Sequence, residues 1–154
     1  SISDGPVIYP HAIWGAKGFT FGDWLQPVGD NRKPRPTIGD DCAATLYHAI
    51  STGLTARIAA VVGDAALAGR LEGRAAEIRA AFAHEFVTPS GRLAHNDQTS
   101  YAIAFLHGLI PPEHREAARA HFRRVIEDAG YRIGTGFIGT PDLLPALSRE
   151  GMHD

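Results

Sequence analysis

The sequence predicts an all-α chain whose antiparallel helical hairpins form part of an α/α toroid. Three observations carry that expectation. Apolar residues recur every three or four positions through most of the chain, strand-like alternation is thin, and helices of low charge alternate with helices of high charge.

Residues 1–36 stand apart, because Gly5, Pro6, Pro10, Gly15, Gly18, Gly22, Pro27, Gly29, Pro34 and Pro36 interrupt any helical period. They read as an irregular lead-in, and residues 37–151 as helical hairpins. The first helix takes Thr37 as its N-cap and sets Asp40 and Asp41 against the positive end of the helix dipole. Its core-facing stripe is Cys42, Leu46, Ile50, Leu54, Ile58 and Val61. Gly63 stops it and Asp64 caps the second, where Leu67, Leu71, Ala75, Ile78, Phe82 and Phe86 repeat the pattern. These two pair as an antiparallel hairpin. After the turn at Thr88-Pro89-Ser90-Gly91, a third helix starts near Asp97 and places Ala102, Phe105, Leu106 and Leu109 on one face. Pro111 and Pro112 close it, and Pro112 opens a fourth with Ala118, Phe122, Val125 and Ile126, ended by Gly130, to complete a second hairpin. The fifth begins at Thr140-Pro141, a cap followed by a proline in the first turn, and runs to Gly151, with Pro145 near its first turn or kinking it. Strand character is confined to short stretches such as Tyr131 to Ile133.

Charge sorts the helices into layers. The second carries Arg70, Glu72, Arg74, Glu77, Arg79 and Glu85, and the fourth carries Glu113, Arg115, Glu116, Arg119, Arg123, Arg124, Glu127 and Asp128, so each has a wet face. The first carries only Asp40, Asp41 and Arg57, and the third only Asp97, so both read as inner helices covered nearly all round. Inner, outer, inner, outer is the order that two concentric helix layers require.

Several function classes fall away on composition. A net charge of −2 with arginines interleaved among acids gives no basic stripe for a phosphate backbone, so nucleic acid is not an expected partner. The longest apolar runs, such as Ile58 to Val62, are far below the roughly 20 residues that a bilayer span needs, so no membrane association is expected. Cys42 is the single cysteine and can form no intrachain disulfide, which makes the cytoplasm the default compartment. The eight histidines include no helical i, i+4 pair with an acidic partner, so no metal site is expected. Ser1 is preceded by no initiator Met and followed by no signal-like region, and the chain therefore reads as a segment excised from a longer one.

Three segments combine glycine, aromatic and polar residues: Gly18 to Leu25, His95 to Thr99 and Thr135 to Thr140. Each precedes or opens an inner helix. Alternate helices of a toroid run the same way, so the N-termini of the first, third and fifth are expected on one rim, with aromatic faces for sugar stacking, polar groups for hydroxyls and the positive ends of helix dipoles. Plainer roles stand beside these. Asp23 and Trp24 would equally fix a loop onto the core, Asp97 would serve as an N-cap, and Gly136 and Gly139 would satisfy turn geometry.

Phe21-Gly22-Asp23-Trp24-Leu25, then Asp97-Gln98-Thr99-Ser100-Tyr101-Ala102 with Gly108-Leu109-Ile110-Pro111, then Thr135-Gly136-Phe137-Ile138-Gly139-Thr140-Pro141 with Leu143, Leu144 and Leu147, resemble the catalytic domain of bacterial α-L-rhamnosidases, glycoside hydrolase family 78. The likeness runs from about Trp14 to Gly151. It implies an (α/α)6 barrel, inverting hydrolysis of terminal α-L-rhamnosides and a rhamnosyl glycoside as substrate. Inversion needs a carboxylic acid for the leaving oxygen and a carboxylate for water, about 6.5–9.5 Å apart. The resemblance implies that both lie outside this segment, so no catalytic acid or base is assigned and the segment is expected to be inactive alone. Asp23 and Trp24 are carried over as substrate-binding wall residues, with Phe137 and His95 beside them.

Two other readings remain open. A helical-repeat interaction module would use the same paired helices, although the inner helices start near Thr37, Asp97 and Pro141, at unequal intervals. A complete small sugar enzyme would use Asp23 and Asp97 as its carboxylate pair. An open ring leaves apolar flanks on the helices from Thr37 to Val62 and from Asp97 to Leu109, so the isolated segment is expected to form a homo-oligomer.

Overall fold

The computed structural model describes residues 22–27 and 38–153. Among these, five α-helices follow in order: α1 (Asp40–Val61), α2 (Ala65–Phe86), α3 (Gln98–Leu106), α4 (Arg115–Asp128) and α5 (Thr140–Arg149), with a 3-10 turn at Pro112–His114 leading into α4. The sole β-pairing among the described residues is a bridge between Val87 and Leu93. Tyr131 to Ile133 form no strand, since Gly130 and Tyr131 turn to φ of 62° and 57° as they close α4.

Local chemistry sets most helix ends. Gly63 bends at φ 89°, and the Asp64 carboxylate accepts the Leu67 N–H at 2.9 Å, which together reverse the chain between α1 and α2. Asp97 caps α3 by accepting the Ser100 N–H at 3.0 Å. Two expected caps differ. Thr37 lies outside the described residues, and Gly39 occupies the N-cap of α1 without a side-chain bond, at a place where a Cβ would collide with the His95 ring. Gly139, not Thr140, occupies the N-cap of α5, because a side chain there would strike Thr99. Thr140 is instead the first helical residue, and its hydroxyl donates to the Gly136 carbonyl at 2.6 Å. Helix α5 continues through Pro145 to Arg149.

Burial follows the layering expected from charge at α3 and α4 and departs from it at α1. Every residue of α3 from Gln98 to Phe105 is buried, whereas α4 buries only Ala118 and Phe122. The rings of Tyr101, Phe105 and Phe122 stack at centroid distances of 5.4–6.4 Å and join these two helices. On α1 the buried face is Cys42, Ala43, Thr45, Leu46, Ala49, Thr52, Ala56 and Ala59, so small residues let the helix approach its neighbours closely. Leu54, Ile58 and Val61, expected in the core, are exposed. The pattern of large apolar residues thus marks the wrong face over the second half of α1, and that helix is not covered all round.

Helix α3 packs more extensively on α5 than on α4. Thr99 meets Gly139 where the two helices start, and Arg149 donates to the Leu106 carbonyl at 2.9 Å where they end, so they run the same way. The starts of α1 and α3 also meet, where the His95 ring lies against Gly39 and its Nε2 is 4.0 Å from Asp41. At the far end of α5, buried Glu150 pairs with Arg115, whose guanidinium lies over the Phe105 ring at 5.6 Å. No described helix is long and apolar enough to cross a membrane.

Candidate substrate-binding rim

The described residues of the three segments singled out in the sequence, 22–25, 95–99 and 135–140, come together where α1, α3 and α5 begin, and residues 18–21 of the first lie outside the described residues. Asp23 is the junction. One carboxylate oxygen accepts the N–H of Ile138 at 3.0 Å and of Gly139 at 3.1 Å. The other accepts the Gly136 N–H at 2.6 Å, the Gln26 amide at 3.2 Å and the Thr99 hydroxyl. Asp23 is only 8% exposed, and all the hydrogen bonds described for its oxygens come from within the chain. The three peptide N–H groups lie just before α5, where the helix dipole adds to the attraction for a carboxylate.

The loop fits only because it carries glycine. A Cβ on Gly136 would overlap the backbone of Asp23 and Trp24, and one on Gly139 would overlap the Thr99 side chain. This close approach lets the Phe137 N–H donate to the Trp24 carbonyl at 2.6 Å. Trp24 and Phe137 therefore sit on adjoining backbone, and both are open to solvent, at 53% and 74% exposure. Of the residues expected at a sugar-binding wall, these two are the exposed ones. His95 is half-buried, with its ring 6.2 Å from that of Phe86 and its Nε2 4.0 Å from Asp41. It stands on the same rim, beside Gly39.

Asp97, the other carboxylate weighed for chemistry, is buried and accepts both the N–H and, at 2.5 Å, the hydroxyl of Ser100. Burial holds its carboxyl above the ordinary carboxylate range, against the opposing pull of the Ser100 hydrogen bonds and His95. Burial likewise raises the Tyr47 hydroxyl, with smaller contributions from Asp142 and Asp23, and that hydroxyl reaches the Ile138 carbonyl at 3.5 Å. Burial also raises the Cys42 thiol, so it stays protonated, as befits a core side chain.

Gln26 was not singled out in the sequence, and Thr99 was seen only as part of a polar segment. The two glycines of the Thr135–Thr140 segment were the available sign that something approaches that backbone closely. A groove of about 460 Å3 lies elsewhere, toward the C-terminal ends of α1 and α3, lined by Gly53, Arg57, Arg79, His107 and Arg149 among others, and none of its lining comes from the rim segments. Among the described residues no cluster of three or more His, Cys, Asp or Glu side chains is placed to hold a metal ion.

The chain matches known proteins in sequence and in fold. A family model, the bacterial alpha-L-rhamnosidase 6 hairpin glycosidase domain, matches residues 8–154. An alpha-L-rhamnosidase of Streptomyces avermitilis is 36% identical over 135 residues, which is 87% of this chain and 12% of that protein. One from Formosa agariphila is 31% identical over 137 residues, 88% of this chain and 15% of that protein. Among solved structures, the Streptomyces avermitilis alpha-L-rhamnosidase complexed with L-rhamnose superposes with a TM-score of 0.81 at 31% identity, over 96% of this chain and 13% of that one. The native enzyme of Aspergillus terreus gives 0.81 at 26% identity, over 96% of this chain and 18% of that one. The chain thus spans only 12–15% of the length of the curated relatives it matches. The five helices among the described residues are part of an (α/α)6 toroid, and the chain belongs to the bacterial alpha-L-rhamnosidase six-hairpin glycosidase family.

Proposed function

We propose that this chain forms part of the substrate-binding rim of an α-L-rhamnosidase whose full-length protein releases terminal α-L-rhamnose from glycosides with inversion, without a cofactor. The observation that carries this reading is the convergence of three distant segments on one rim, with Trp24 and Phe137 exposed on adjoining backbone and His95 on the same rim. Aromatic faces pack against the C–H faces of sugars, and a rim of polar helix starts supplies donors to hydroxyls.

The isolated segment lacks its own acid and base in this reading. Asp23 and Asp97, the two carboxylates a self-sufficient enzyme would use, are both buried and hydrogen-bonded inside the fold. A group that must give or take a proton has to reach the glycosidic oxygen or a water, and neither is free to do so. Comparison of the two forms tests the proposal. The full-length protein is expected to cleave an aryl α-L-rhamnoside to β-L-rhamnose as first product, read by NMR, and the isolated segment to give no turnover. Activity of the isolated segment that survives repurification and disappears in Asp23→Asn would instead support the self-sufficient enzyme.

We also propose that the isolated segment self-associates through the exposed stripe of α1.

A further inference from the structure

We infer that the groove beside the second half of α1 binds a small organic oxyanion, an apolar body that carries a carboxylate, sulfate or phosphate group. The inference does not depend on what the rim receives, because the groove lies toward the other end of the inner helices.

Unequal helix lengths open this groove. Helices α1 and α3 begin together, where His95 lies against Gly39, but α1 has 22 residues and α3 only 9. At 1.5 Å per residue they extend about 33 Å and about 14 Å from that common start. His107 closes α3, and Gly108, at φ 67°, turns the chain away. Ile50, Gly53 and Arg57 therefore stand at or past the level where α3 ends. The space left beside them, with α2 and Arg149 of α5 also in its lining, measures about 460 Å3, a size that suits one small organic molecule.

The lining sets the chemistry of that molecule. Ile50 and Leu106, packed against the core, supply apolar surface. Three guanidiniums, those of Arg57, Arg79 and Arg149, stand against one carboxylate, that of Glu72. Arg149 donates to the Leu106 carbonyl at 2.9 Å, and His107 is held by Asp142 at 3.1 Å. Among the described residues, the side chains of Arg57, Arg79 and Glu72 form neither a hydrogen bond nor an ion pair. Arg57 and Arg79 also lie outside the last turns of their helices, so attraction to the negative end of a helix dipole does not account for them.

Arg79 is the more telling of the two. It is half-buried, and its Nη2 lies 3.3 Å from where a Cβ on Gly53 would stand. Glycine inside a helix is destabilising relative to alanine, and here the missing side chain gives the guanidinium room against α1. A guanidinium partly removed from water without an acceptor is unfavourable, and its planar fork matches two oxygens of one carboxylate, sulfate or phosphate. A bare inorganic oxyanion would satisfy the charge and leave the apolar lining and most of the volume unused. An anion with an apolar body uses both.

Calorimetric titration of the full-length protein at constant ionic strength tests this. The protein is expected to bind 2-naphthoate, and to bind neutral 2-naphthamide and inorganic phosphate each at least about tenfold more weakly. Arg79→Gln is expected to weaken 2-naphthoate roughly tenfold and to leave 2-naphthamide within about twofold. If Arg79→Gln does not fold, Arg57→Gln, a change at an exposed position, carries the test and is expected to weaken 2-naphthoate about three- to fivefold. Phosphate bound as tightly as 2-naphthoate would mean that charge alone is recognised, and 2-naphthamide bound as tightly would mean that charge is not; either overturns the inference. Binding of 2-naphthoate that survives both arginine substitutions would place the probe elsewhere. A full-length protein that binds no 2-naphthoate would have this groove closed by another part of its own chain, and both results also overturn the inference.

Discussion

At Asp97, capping and burial act in opposite directions. The side chain supplies the acceptor for Ser100 at the start of α3, yet it does so at 4% exposure, where the charged form is disfavoured. Its carboxyl is held above the ordinary value in the folded state, so the stabilisation associated with the protonated form is complete below the unfolded value and is lost as pH rises through the folded one. Asp97→Asn keeps an acceptor for the cap and removes that dependence. Urea midpoints measured from pH 4 to pH 7 are therefore expected to fall with pH in the wild-type chain relative to Asp97→Asn, whereas Asp97→Ala loses the cap at every pH and costs about 1–2 kcal/mol. Parallel pH profiles for wild type and Asp97→Asn would remove the burial argument. The cap was legible in the letters, because Asp97 precedes an apolar run; its burial was not, because it depends on a distant part of the chain, α1, whose Cys42 lies close to it. Asp23 shows the same limit more strongly, since the Thr99 and Gly139 groups that reach it are 76 and 116 positions away.

Among the helices, α3 was readable and α1 was not. A nine-residue helix with no charge inside it has to be buried, and α3 is. The large apolar residues of α1 follow a helical stripe that is real but belongs to two faces: Leu46 enters the core at 0% exposure while Ile58 stands at 61%. What selects the inner face over the second half is smallness, at Ala49, Thr52, Ala56 and Ala59, and a hydrophobicity pattern ranks alanine too low to reveal it. The consequence is testable by volume. Ala56→Leu places extra methylenes at a site of 1% exposure and is expected to cost about 1–3 kcal/mol in urea unfolding. Leu54→Ala, on the stripe that the sequence assigned to the core, is expected to change the stability of the monomeric chain by less than about 0.5 kcal/mol, as at most exposed sites. A loss of several kcal/mol at Leu54 would restore the original assignment.

For the molecule as a whole, the unanswered contact is the outward face of α1. Of the two inner helices expected to leave apolar flanks, α3 is covered from Gln98 to Phe105, so the expectation narrows to Leu54, Ile58, Val61 and Val62, exposed at 44%, 61%, 87% and 73%. Contiguous apolar surface of this kind on a soluble chain usually marks a contact. The family to which the chain belongs is built of six hairpins, and the five helices among the described residues are too few to close such a ring. In the isolated segment the simplest way to cover the stripe is a second copy, with α1 laid against α1 across a two-fold axis, because an isologous contact needs only one self-complementary surface. Light scattering at micromolar concentration is expected to give a dimer mass that falls to the monomer in Leu54→Glu, Ile58→Glu. In the full-length protein the same double substitution is expected to lower the thermal midpoint without changing the subunit count, since another helix of the ring would then occupy the stripe. A monomeric wild-type segment with a cooperative melt would defeat the first expectation, and a full-length protein indifferent to both charges would defeat the second.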